Sequence, residues 1–298
     1  MKKIFKKNFI PFILPALLVY IFVVIIPFVT GVLYSFSAWK GSYFEGGNNW
    51  REAFVGFDNY IRTFSSQEFK DATVYSIQYT IVALITINLV SLGLALLVHS
   101  IQRGAGFFRT TFFIPNLLSG LALGYVWLFI FEVVFSKFLF GPNGLINAEF
   151  LTYMTQNRTK TLFAIVILMI WQSAGYHMLI YISGLNSIPG EYYEAAKVDG
   201  ASVFQRFRHI TLPLLMPSIT INLFLVLSNS FKLLDPNVAL TEGDFNTRLL
   251  TLQIVKTTET TTPPDYGMAQ AEAVIFFLII ALVSVTQVIL TKRREVEL

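Results

Sequence analysis

The sequence predicts an all-α integral membrane protein with six transmembrane helices, and three observations support this fold class. The 298 residues are 54% hydrophobic and only 13% charged, which is about half the charged fraction of a typical soluble domain. The mean hydropathy is +0.61. Apolar runs that reach the roughly 20 residues needed to cross a bilayer recur along the chain. Membrane lipid is therefore the first partner that the sequence indicates.

Composition also excludes several classes of protein. The formal net charge is +4, but the basic residues lie at the ends of apolar runs, so they indicate membrane orientation and not nucleic-acid binding. The sequence contains no Cys, which rules out disulfides and thiolate metal ligands. His99, His177 and His209 are too scattered along the chain to suggest a metal site, so we predict none.

The six spans follow the apolar runs, and together they form a single transmembrane domain over residues 1–298. The first run follows a lysine-rich start, but it is too long for a signal peptide and lacks a convincing cleavage site. We therefore predict an uncleaved first span. The predicted spans are 10–36, 74–99, 110–135, 161–184, 213–234 and 268–291. An even number of spans puts both termini on the same side of the membrane.

Lys and Arg residues set the orientation of these spans. With a cytoplasmic N-terminus, the short inner segments contain twelve basic residues: Lys2, Lys3, Lys6, Lys7, Arg103, Arg109, Lys197, Arg206, Arg208, Lys292, Arg293 and Arg294. The much longer outer loops contain nine: Lys40, Arg51, Arg62, Lys70, Lys137, Arg158, Lys160, Arg248 and Lys256. This asymmetry predicts cytoplasmic termini and places the polar stretch 185–212 on the cytoplasmic side.

The stretch 185–212 is predicted to form a compact hairpin of two short helices. Pro189 suits the first turn of a helix, where its missing N–H costs nothing. Glu191 and Glu194 lie near that helix's N-terminus, where the backbone dipole favours negative charge. Gly200 can adopt the left-handed conformation that ends a helix, and a second helix is predicted over 201–210. Such a hairpin is rigid enough to transmit force.

The same stretch resembles the EAA loop of the membrane subunits of bacterial ATP-binding-cassette (ABC) importers. Glu194-Ala195-Ala196 is followed after three residues by Gly200, and after nine more by Ile210-Thr211-Leu212-Pro213. The resemblance implies the type I ABC importer fold, with a cytoplasmic EAA loop at 185–212 that docks in a groove of the ATPase subunit. The implied ATPase-coupling residues are Glu194, Ala195, Ala196, Asp199 and Gly200.

Further segments resemble the first of the two paired permease subunits of carbohydrate importers, of the maltose and glycerol-phosphate type. These segments are Ser230-Phe231-Lys232, Leu240-Thr241-Glu242-Gly243, Asp265-Tyr266-Gly267-Met268-Ala269-Gln270-Ala271 and Lys292-Arg293-Arg294-Glu295. The resemblance covers about residues 10–295, with a core permease region over about 72–291. Relatives commonly read T-x-G-G-P where this chain has Thr241-Glu242-Gly243-Asp244-Phe245, so the sequence does not identify the sugar.

The resemblance also implies the partners and the localisation. They are a second homologous permease subunit, two ATP-binding-cassette ATPase subunits and an extracytoplasmic solute-binding protein, in the cytoplasmic membrane of a prokaryote. The sequence itself contains neither a G-x-x-x-x-G-K-[ST] loop nor an H-E-x-x-H motif. The chain is therefore not predicted to be an enzyme. ATP and Mg are expected on the ATPase subunits, and no cofactor is expected here.

Polar groups inside the spans are candidates for the substrate site, because they are costly in lipid and tend to face a cavity. Gln172 and Tyr176 are four residues apart and share a helix face, and Asn222 and Asn229 also share a face. A sugar-binding site requires side-chain amides and hydroxyls that hydrogen-bond the sugar, and aromatic rings that cover the apolar face of a pyranose. In maltose-type relatives the substrate-holding positions correspond to Asn116, Gly120, Gln172, Ser173, Tyr176, Asn229, Ser230 and Leu233. The alternative for each is a hydrogen bond between helices.

Other polar residues in the spans receive structural interpretations. His177 is assigned to packing or gating, and Lys232 is expected to snorkel or to pair with Asp235. Glu132 and Glu272, near the outer ends of their spans, are expected at the membrane interface and not as proton carriers.

The aromatic outer loop 37–73 either lies on the membrane surface or contacts the binding protein. The sequence leaves both interpretations open.

The predicted function is therefore import of a carbohydrate, expected to be an oligosaccharide, by ATP-driven alternating access. One alternative is the same machinery carrying glycerol-3-phosphate or another small polar solute, which would require inward-facing basic residues, and only Lys232 is near. A second is an ion-coupled secondary transporter, which would require intramembrane acids or inverted repeats. A membrane-embedded enzyme has no supporting group of residues.

Overall fold

The computed structural model describes residues 13–101 and 103–295. Lys2, Lys3, Lys6 and Lys7, which were counted for orientation, lie outside the described residues, as does the start of the predicted first span. Within the described ranges the structure consists of helices joined by turns, with three isolated antiparallel bridges between residues 37 and 54. The predicted all-α class is confirmed.

The described part of the chain forms twelve helices, some of which contain a wider π-helical turn. They are α1 (Ile13–Tyr34), α2 (Asp58–Ser65), α3 (Gln67–Ser100), α4 (Ala105–Phe113), α5 (Gly120–Leu139), α6 (Arg158–Asn186), α7 (Gly190–Val198), α8 (Val203–Leu214), α9 (Met216–Phe231), α10 (Asp235–Thr241), α11 (Leu250–Glu259) and α12 (Tyr266–Lys292). Short 3₁₀ turns occupy Ile114–Leu117 and Glu149–Leu151.

Five of these helices are long and apolar enough to cross a membrane, namely α1, α3, α5, α6 and α12. A sixth span is obtained if α8 and α9, which are bent by 66° where they meet, count as one. Pro213 and Pro217 lie on either side of the bend, and each removes a backbone donor from the helical ladder, which is a recognised cause of kinks.

The segment 110–135, predicted as one span, does not form one continuous helix. It is interrupted by the tight turn Ile114–Leu117, and Leu118 and Ser119 have extended backbones before α5 begins. Pro115 in this turn cannot donate a backbone hydrogen bond. The interruption leaves the carbonyl of Leu118 free for a side chain.

The chain divides into two compact units, residues 1–69 with 253–278 and residues 70–252 with 279–298. In the first unit, α1 is exposed along its apolar length, and the loop after it folds onto α2. There the Asn59 side chain donates to the backbone oxygens of Ser35 at 2.9 Å and Ser37 at 3.0 Å. The polar side of α2 thus faces the protein.

The second unit contains two buried apolar clusters. One is built on Tyr75, Tyr79 and Phe131, and the other on Met178 and Tyr181.

Helices α5 and α10 of this unit pack closely, because Gly124 has no side chain. A Cβ atom there would collide with the Cβ of Ala239. Small residues allow the backbones of membrane helices to approach in this way. Together with α3, α6 and α9, these helices surround the site described next.

Candidate functional site

A polar cavity of about 350 Å³ lies within the second unit. Seven of the eight predicted substrate contacts line it, and they are Asn116, Gly120, Gln172, Ser173, Asn229, Ser230 and Leu233. Tyr176 does not line it, and its ring instead packs against the ring of His177 with centroids 5.2 Å apart. The structure therefore brings together residues that are separated by more than a hundred positions in the sequence.

Four elements position these side chains. The turn Ile114–Leu117 presents Asn116, and Gly120 begins α5 directly after it. Helix α6 contributes Gln172 and Ser173, and the end of α9 contributes Asn229. The interruption between α4 and α5 contributes directly to the site. It places Asn116 in a turn at the cavity and leaves the Leu118 carbonyl able to accept a hydrogen bond from Gln172.

Some polar groups of the cavity are satisfied by the protein and others are not. The Gln172 amide nitrogen donates to the Leu118 carbonyl at 3.2 Å, and the Ser173 hydroxyl donates to the Met169 carbonyl at 2.6 Å. Within residues 13–101 and 103–295, the structure gives the side-chain amides of Asn116 and Asn229 no hydrogen-bond partner, although both line the cavity. These two amides can each donate to and accept from a bound hydroxyl.

Several cavity-lining residues were missed as substrate contacts, including Tyr79, Met169 and His177. Tyr79 lies on α3, a helix that the sequence marked only as an apolar span. The four-residue spacing of Tyr75, Tyr79, Ala83 and Ile87 was the available signal, because residues at this spacing share one helix face.

Lys232 and Asp235 also line the cavity. Of the two expectations for Lys232, snorkelling or pairing with Asp235, the pairing is not formed, since none of the ion pairs found between described residues joins the two. The cavity therefore contains one cationic and one anionic side chain, and its rim has no net charge from this pair.

A second candidate site is the hairpin of α7 and α8. Gly200 lies between the two helices with a φ of +76°, so the sequence-based expectation of a left-handed glycine is confirmed. Ser202 caps α8 through a reciprocal pair of hydrogen bonds with Gln205. The hydroxyls of Tyr193 and Thr211, 3.0 Å apart, connect α7 to the end of α8.

The hairpin exposes most of its EAA residues together with apolar side chains. Glu194, Ala195, Asp199 and Gly200 are exposed, and Ala196 is half-buried. Three apolar side chains on the same hairpin are also exposed: Val198 at 88%, Val203 at 74% and Phe204 at 68%. Clustered exposed apolar side chains are characteristic of protein interaction sites.

Residues 87–296 match the family described as binding-protein-dependent transport system inner membrane component. The chain belongs to this family. It is accordingly a multi-pass membrane component of an inner-membrane transport system.

Curated relatives of this transport component are similar over almost their entire length. The probable starch degradation products transport system permease protein AmyD of Thermoanaerobacterium thermosulfurigenes is 39% identical, over 96% of this chain and 94% of the relative. The multiple sugar-binding transport system permease protein MsmF of Streptococcus mutans is 31% identical, over 91% and 90%. The sn-glycerol-3-phosphate transport system permease protein UgpA of Escherichia coli is 26% identical, over 96% and 95%.

Solved structures confirm the fold of this transport component. A crystal structure of a bacterial ABC transporter, described as involved in the import of the acidic polysaccharide alginate, contains a chain that matches with a TM-score of 0.80. The sequence identity is 18%, and the match covers 98% of both chains. The predicted ABC importer permease fold is therefore shown.

The two carboxylates expected at the membrane interface differ in their surroundings. Glu272 of α12 is fully buried in the first unit, where Thr257 donates to its carboxylate at 2.8 Å. Protein neighbours cover this carboxylate, which hydropathy does not show, because it gives the length of a span and not which of its faces is covered. The interfacial position of Glu272 stays a prediction. Glu132 of α5 is half-buried and accepts hydrogen bonds from Thr155 and Gln156 in the following loop.

Proposed function

We propose that this chain is the transmembrane permease subunit of an ATP-driven importer that moves a carbohydrate, most simply an oligosaccharide, into the cytoplasm by alternating access. The observation that carries the proposal is the cavity, where amide and hydroxyl groups from separate helices converge beside the ring of Tyr79. Its volume of about 350 Å³ lies within the range of roughly 300–1,000 Å³ that is typical of small-molecule sites.

The chemistry of the cavity suits a neutral sugar. The free amides of Asn116 and Asn229 can each bond a hydroxyl in either direction, and an aromatic ring can cover the apolar face of a pyranose. The relatives named for starch degradation products and for multiple sugars support a carbohydrate as the substrate class. In this proposal the predicted substrate contacts that line the cavity hold the sugar during its passage.

The hairpin of α7 and α8 is proposed to connect the chain to its ATPase subunits. Its exposed apolar side chains Val198, Val203 and Phe204 supply a surface that a groove could bury. The EAA residues Glu194, Ala195 and Ala196 lie on α7 beside that surface. The ATP and Mg would be bound by the ATPase subunits, and this chain would need no cofactor of its own.

The remaining partners follow from the same proposal. A second homologous permease subunit would complete the pathway, and an extracytoplasmic solute-binding protein would deliver the sugar. A solved alginate transporter of the same fold is described in complex with a pentasaccharide-bound periplasmic protein. Both termini of this chain would be cytoplasmic, on the same side as the hairpin.

Glycerol-3-phosphate is the second candidate substrate, and a specific observation favours it. Lys232 lines the cavity, and a relative at 26% identity is named for glycerol-3-phosphate transport. Asp235 lines the same cavity and disfavours an anion there. We therefore rank the neutral sugar first, while ion-coupled secondary transport is disfavoured by the family to which the chain belongs.

Uptake measurements in a host that lacks the gene test the proposed function. We expect the deletion strain to lose uptake of one or more labelled oligosaccharides, complementation to restore it, and depletion of ATP to abolish it. Uptake of glycerol-3-phosphate without any sugar would select the second candidate. Sugar uptake that follows an imposed ion gradient in the absence of ATP would contradict ATP-driven import.

A further inference from the structure

The middle of α6 contains a buried histidine that the proposed substrate contacts do not include. His177 lines the polar cavity and is 2% exposed. Its Nδ1 atom lies 2.8 Å from Oδ1 of Asn222 on α9. Asn222 is completely buried, so the pair is almost entirely shielded from bulk solvent.

The hydrogen bonds of Asn222 determine which nitrogen of the imidazole carries the proton. The Asn222 side-chain nitrogen donates to the backbone oxygen of His177 at 3.4 Å, which orients the amide with Oδ1 toward the ring. An amide oxygen can only accept a hydrogen bond, so His177 Nδ1 must donate to it. In the neutral ring the other nitrogen, Nε2, then has no hydrogen and is an acceptor.

The surroundings favour the neutral ring. No carboxylate of the described ranges lies within ion-pairing distance of His177, and a buried charge without a partner is costly. The ring of Tyr176 packs edge-on against the imidazole. Asp235 and Lys232 line the same cavity and would act on the ring with opposite signs.

The hydrogen bonds of Asn222 connect α9 to the middle of α6. They restrain the imidazole so that its Nδ1 edge faces Asn222. For Nε2, on the opposite edge of the ring, the described structure gives no hydrogen-bond partner.

We propose that Nε2 of His177 accepts a hydrogen bond from a hydroxyl of the transported molecule, and that Asn222 is the positioning residue that fixes the tautomer. This inference rests on the proposed function. The side-chain amides of the cavity can both donate and accept hydrogen bonds, so they do not distinguish a hydroxyl from an oxygen without a hydrogen. Nε2 can only accept, so it binds a hydroxyl group but forms no hydrogen bond with an oxygen that lacks a hydrogen. A fully ionised phosphate group has no O–H hydrogen to donate to Nε2. His177 would therefore favour binding of a neutral polyol over a phosphate group at this position.

Two substitutions separate the two nitrogens of the ring. Asn at position 177 places its amide nitrogen near the Nδ1 position, so His177→Asn keeps a donor to Asn222 and loses the cavity-facing acceptor. His177→Gln places a polar atom near the Nε2 position and loses the bond to Asn222. Each substitution therefore keeps a polar atom at the position of one ring nitrogen and removes the other, and both replacement side chains fit the space of histidine.

The kinetic experiment uses the complete importer reconstituted in proteoliposomes with its ATPase subunits and binding protein. We expect His177→Asn to raise the KM for the transported sugar about fivefold to tenfold, the effect of one lost hydrogen bond, with the maximal rate and melting temperature unchanged. His177→Gln retains a polar atom near the Nε2 position but loses its restraint by Asn222, so it should raise the KM less than His177→Asn does and lower the melting temperature. A wild-type KM in His177→Asn would overturn the assignment.

A variant of Asn222 tests the positioning role. Asn222→Leu removes the oxygen that accepts from Nδ1 and should raise the KM as His177→Asn does. Equal KM values for Asn222→Leu and the wild type would show that the amide only packs α6 against α9.

The tautomer can be measured without transport. The sequence contains three histidines, so ¹⁵N-labelling of histidine gives few ring signals, and His177→Asn identifies those of residue 177. We expect the Nδ1-protonated neutral form, and an Nε2-protonated ring would overturn the inference. If the wild-type importer carried no sugar at all, the proposed function would fail, while the ¹⁵N result would still decide the tautomer.

Discussion

The cavity and the helical hairpin arrange polar and apolar side chains in opposite ways. In the cavity, Asn116 and Asn229 are polar groups within apolar helices, and their amides have no protein partner among the described residues. On the hairpin, Val198 and Phe204 are apolar groups exposed among charged ones. Each region places side chains where they lack suitable contacts within this chain.

This difference indicates what each region binds. A polar group inside a membrane bundle is costly unless a partner satisfies it, so the cavity suits a small polar ligand. An exposed apolar patch suits the surface of another protein. If the comparison is correct, substitutions in the hairpin should disrupt coupling for every substrate, whereas substitutions in the cavity should change affinity for a particular one.

The largest expected effect on uptake comes from Gly200 of the hairpin. Its φ of +76° is readily adopted by glycine and is strongly disfavoured for a β-branched residue. We expect Gly200→Val to reduce uptake to less than about a tenth of wild type, with normal amounts of protein in the membrane. Uptake and quantitative immunoblotting of membranes measure the two quantities.

Gly46 provides a matched control for backbone strain. It has a φ of +84°, and, as at Gly200, no neighbouring atom would lie within 4 Å of an added Cβ. Gly46→Val should therefore experience similar strain in the loop after α1 without reducing uptake to the same degree. Near-normal uptake in Gly200→Val, or equal losses in both variants, would count against a specific role of the hairpin.

The next effect tests the exposed apolar surface of the hairpin. Phe204 is 68% exposed, so Phe204→Asp should leave the fold of the isolated chain intact. We expect the substitution to weaken binding of the ATPase subunits about tenfold or more, because aromatic side chains at the centre of an interface contribute strongly. Co-purification and binding measurements on the detergent-solubilised complex test this.

Leu145 is the control for that substitution. It is 84% exposed in the loop between α5 and α6, so Leu145→Asp adds the same charge at an open position outside the hairpin. We expect it to retain ATPase binding. Retained binding in Phe204→Asp would remove the hairpin surface from the proposed contact and would leave the EAA residues to act without it.

A smaller effect, confined to affinity, is expected in the cavity. The Asn229 amide lines the cavity and is not used by the described protein. Asn229→Leu should raise the KM for the sugar about fivefold to tenfold, with an unchanged melting temperature. A lower melting temperature at unchanged KM would show that Asn229 contributes to helix packing instead.

Asn237 is the matched asparagine whose amide is fully used. It is buried, donates to the Thr247 carbonyl at 2.9 Å and accepts from the Leu249 N–H at 2.9 Å. Asn237→Leu leaves two buried backbone groups without partners, which should cost about 2 kcal/mol of stability. The two variants should therefore affect different quantities: Asn229→Leu should raise the KM, and Asn237→Leu should lower the melting temperature.

The sequence could predict the local conformation of the hairpin but only part of the cavity. Gly200 is positioned by short-range rules for ending a helix, and its φ agrees with them. His177 was assigned to packing or gating and not to the substrate contacts, because its partner Asn222 lies 45 residues away. The burial of Glu272 was not predicted, because it depends on residues of α11 such as Thr257. Short-range signals do not show which helix face another segment covers.

Asp265, just before α12, belongs to a cluster of charged groups that pair with one another, in contrast to the unpaired amides of the cavity. Its carboxylate is paired with Arg62 at 2.6 Å and Lys40 at 3.4 Å. It also accepts a hydrogen bond from the backbone N–H of Met268 at 3.1 Å. The charged groups of this cluster thus satisfy one another, in contrast to the cavity, so we expect the cluster to contribute stability and to have little effect on substrate affinity.

The pKa of Asp265 gives this expectation a direction in pH. Burial alone would raise it, but the hydrogen bonds from Arg62 and Met268, with the charges of Arg62 and Lys40, hold the pKa of Asp265 below its usual value. A carboxylate with a lowered folded-state pKa stabilises the protein at neutral pH, and this contribution is lost as the pH falls from about 4 through the folded-state pKa.

The smallest expected effect on uptake is therefore that of Asp265→Asn. We expect a loss of about 2 kcal/mol of stability at pH 7, less than the ~3–5 kcal/mol of a fully buried pair, because the Arg62 side chain is 46% exposed. The KM should stay at the wild-type value. The difference in melting temperature between the two proteins should narrow below about pH 4, where the wild-type carboxylate becomes protonated.

Glu259→Gln is the control for this charge change. The ion pair of Glu259 with Lys256 is partly exposed, with 56% of the Glu259 side chain accessible, so its loss should cost less than about 0.5 kcal/mol at any pH. A pH-independent difference between wild type and Asp265→Asn would show that packing, and not charge, connects Asp265 to stability. A raised KM in Asp265→Asn would mean that charged groups paired with one another also take part in substrate binding. Lack of a protein partner would then not distinguish binding groups from stabilising ones.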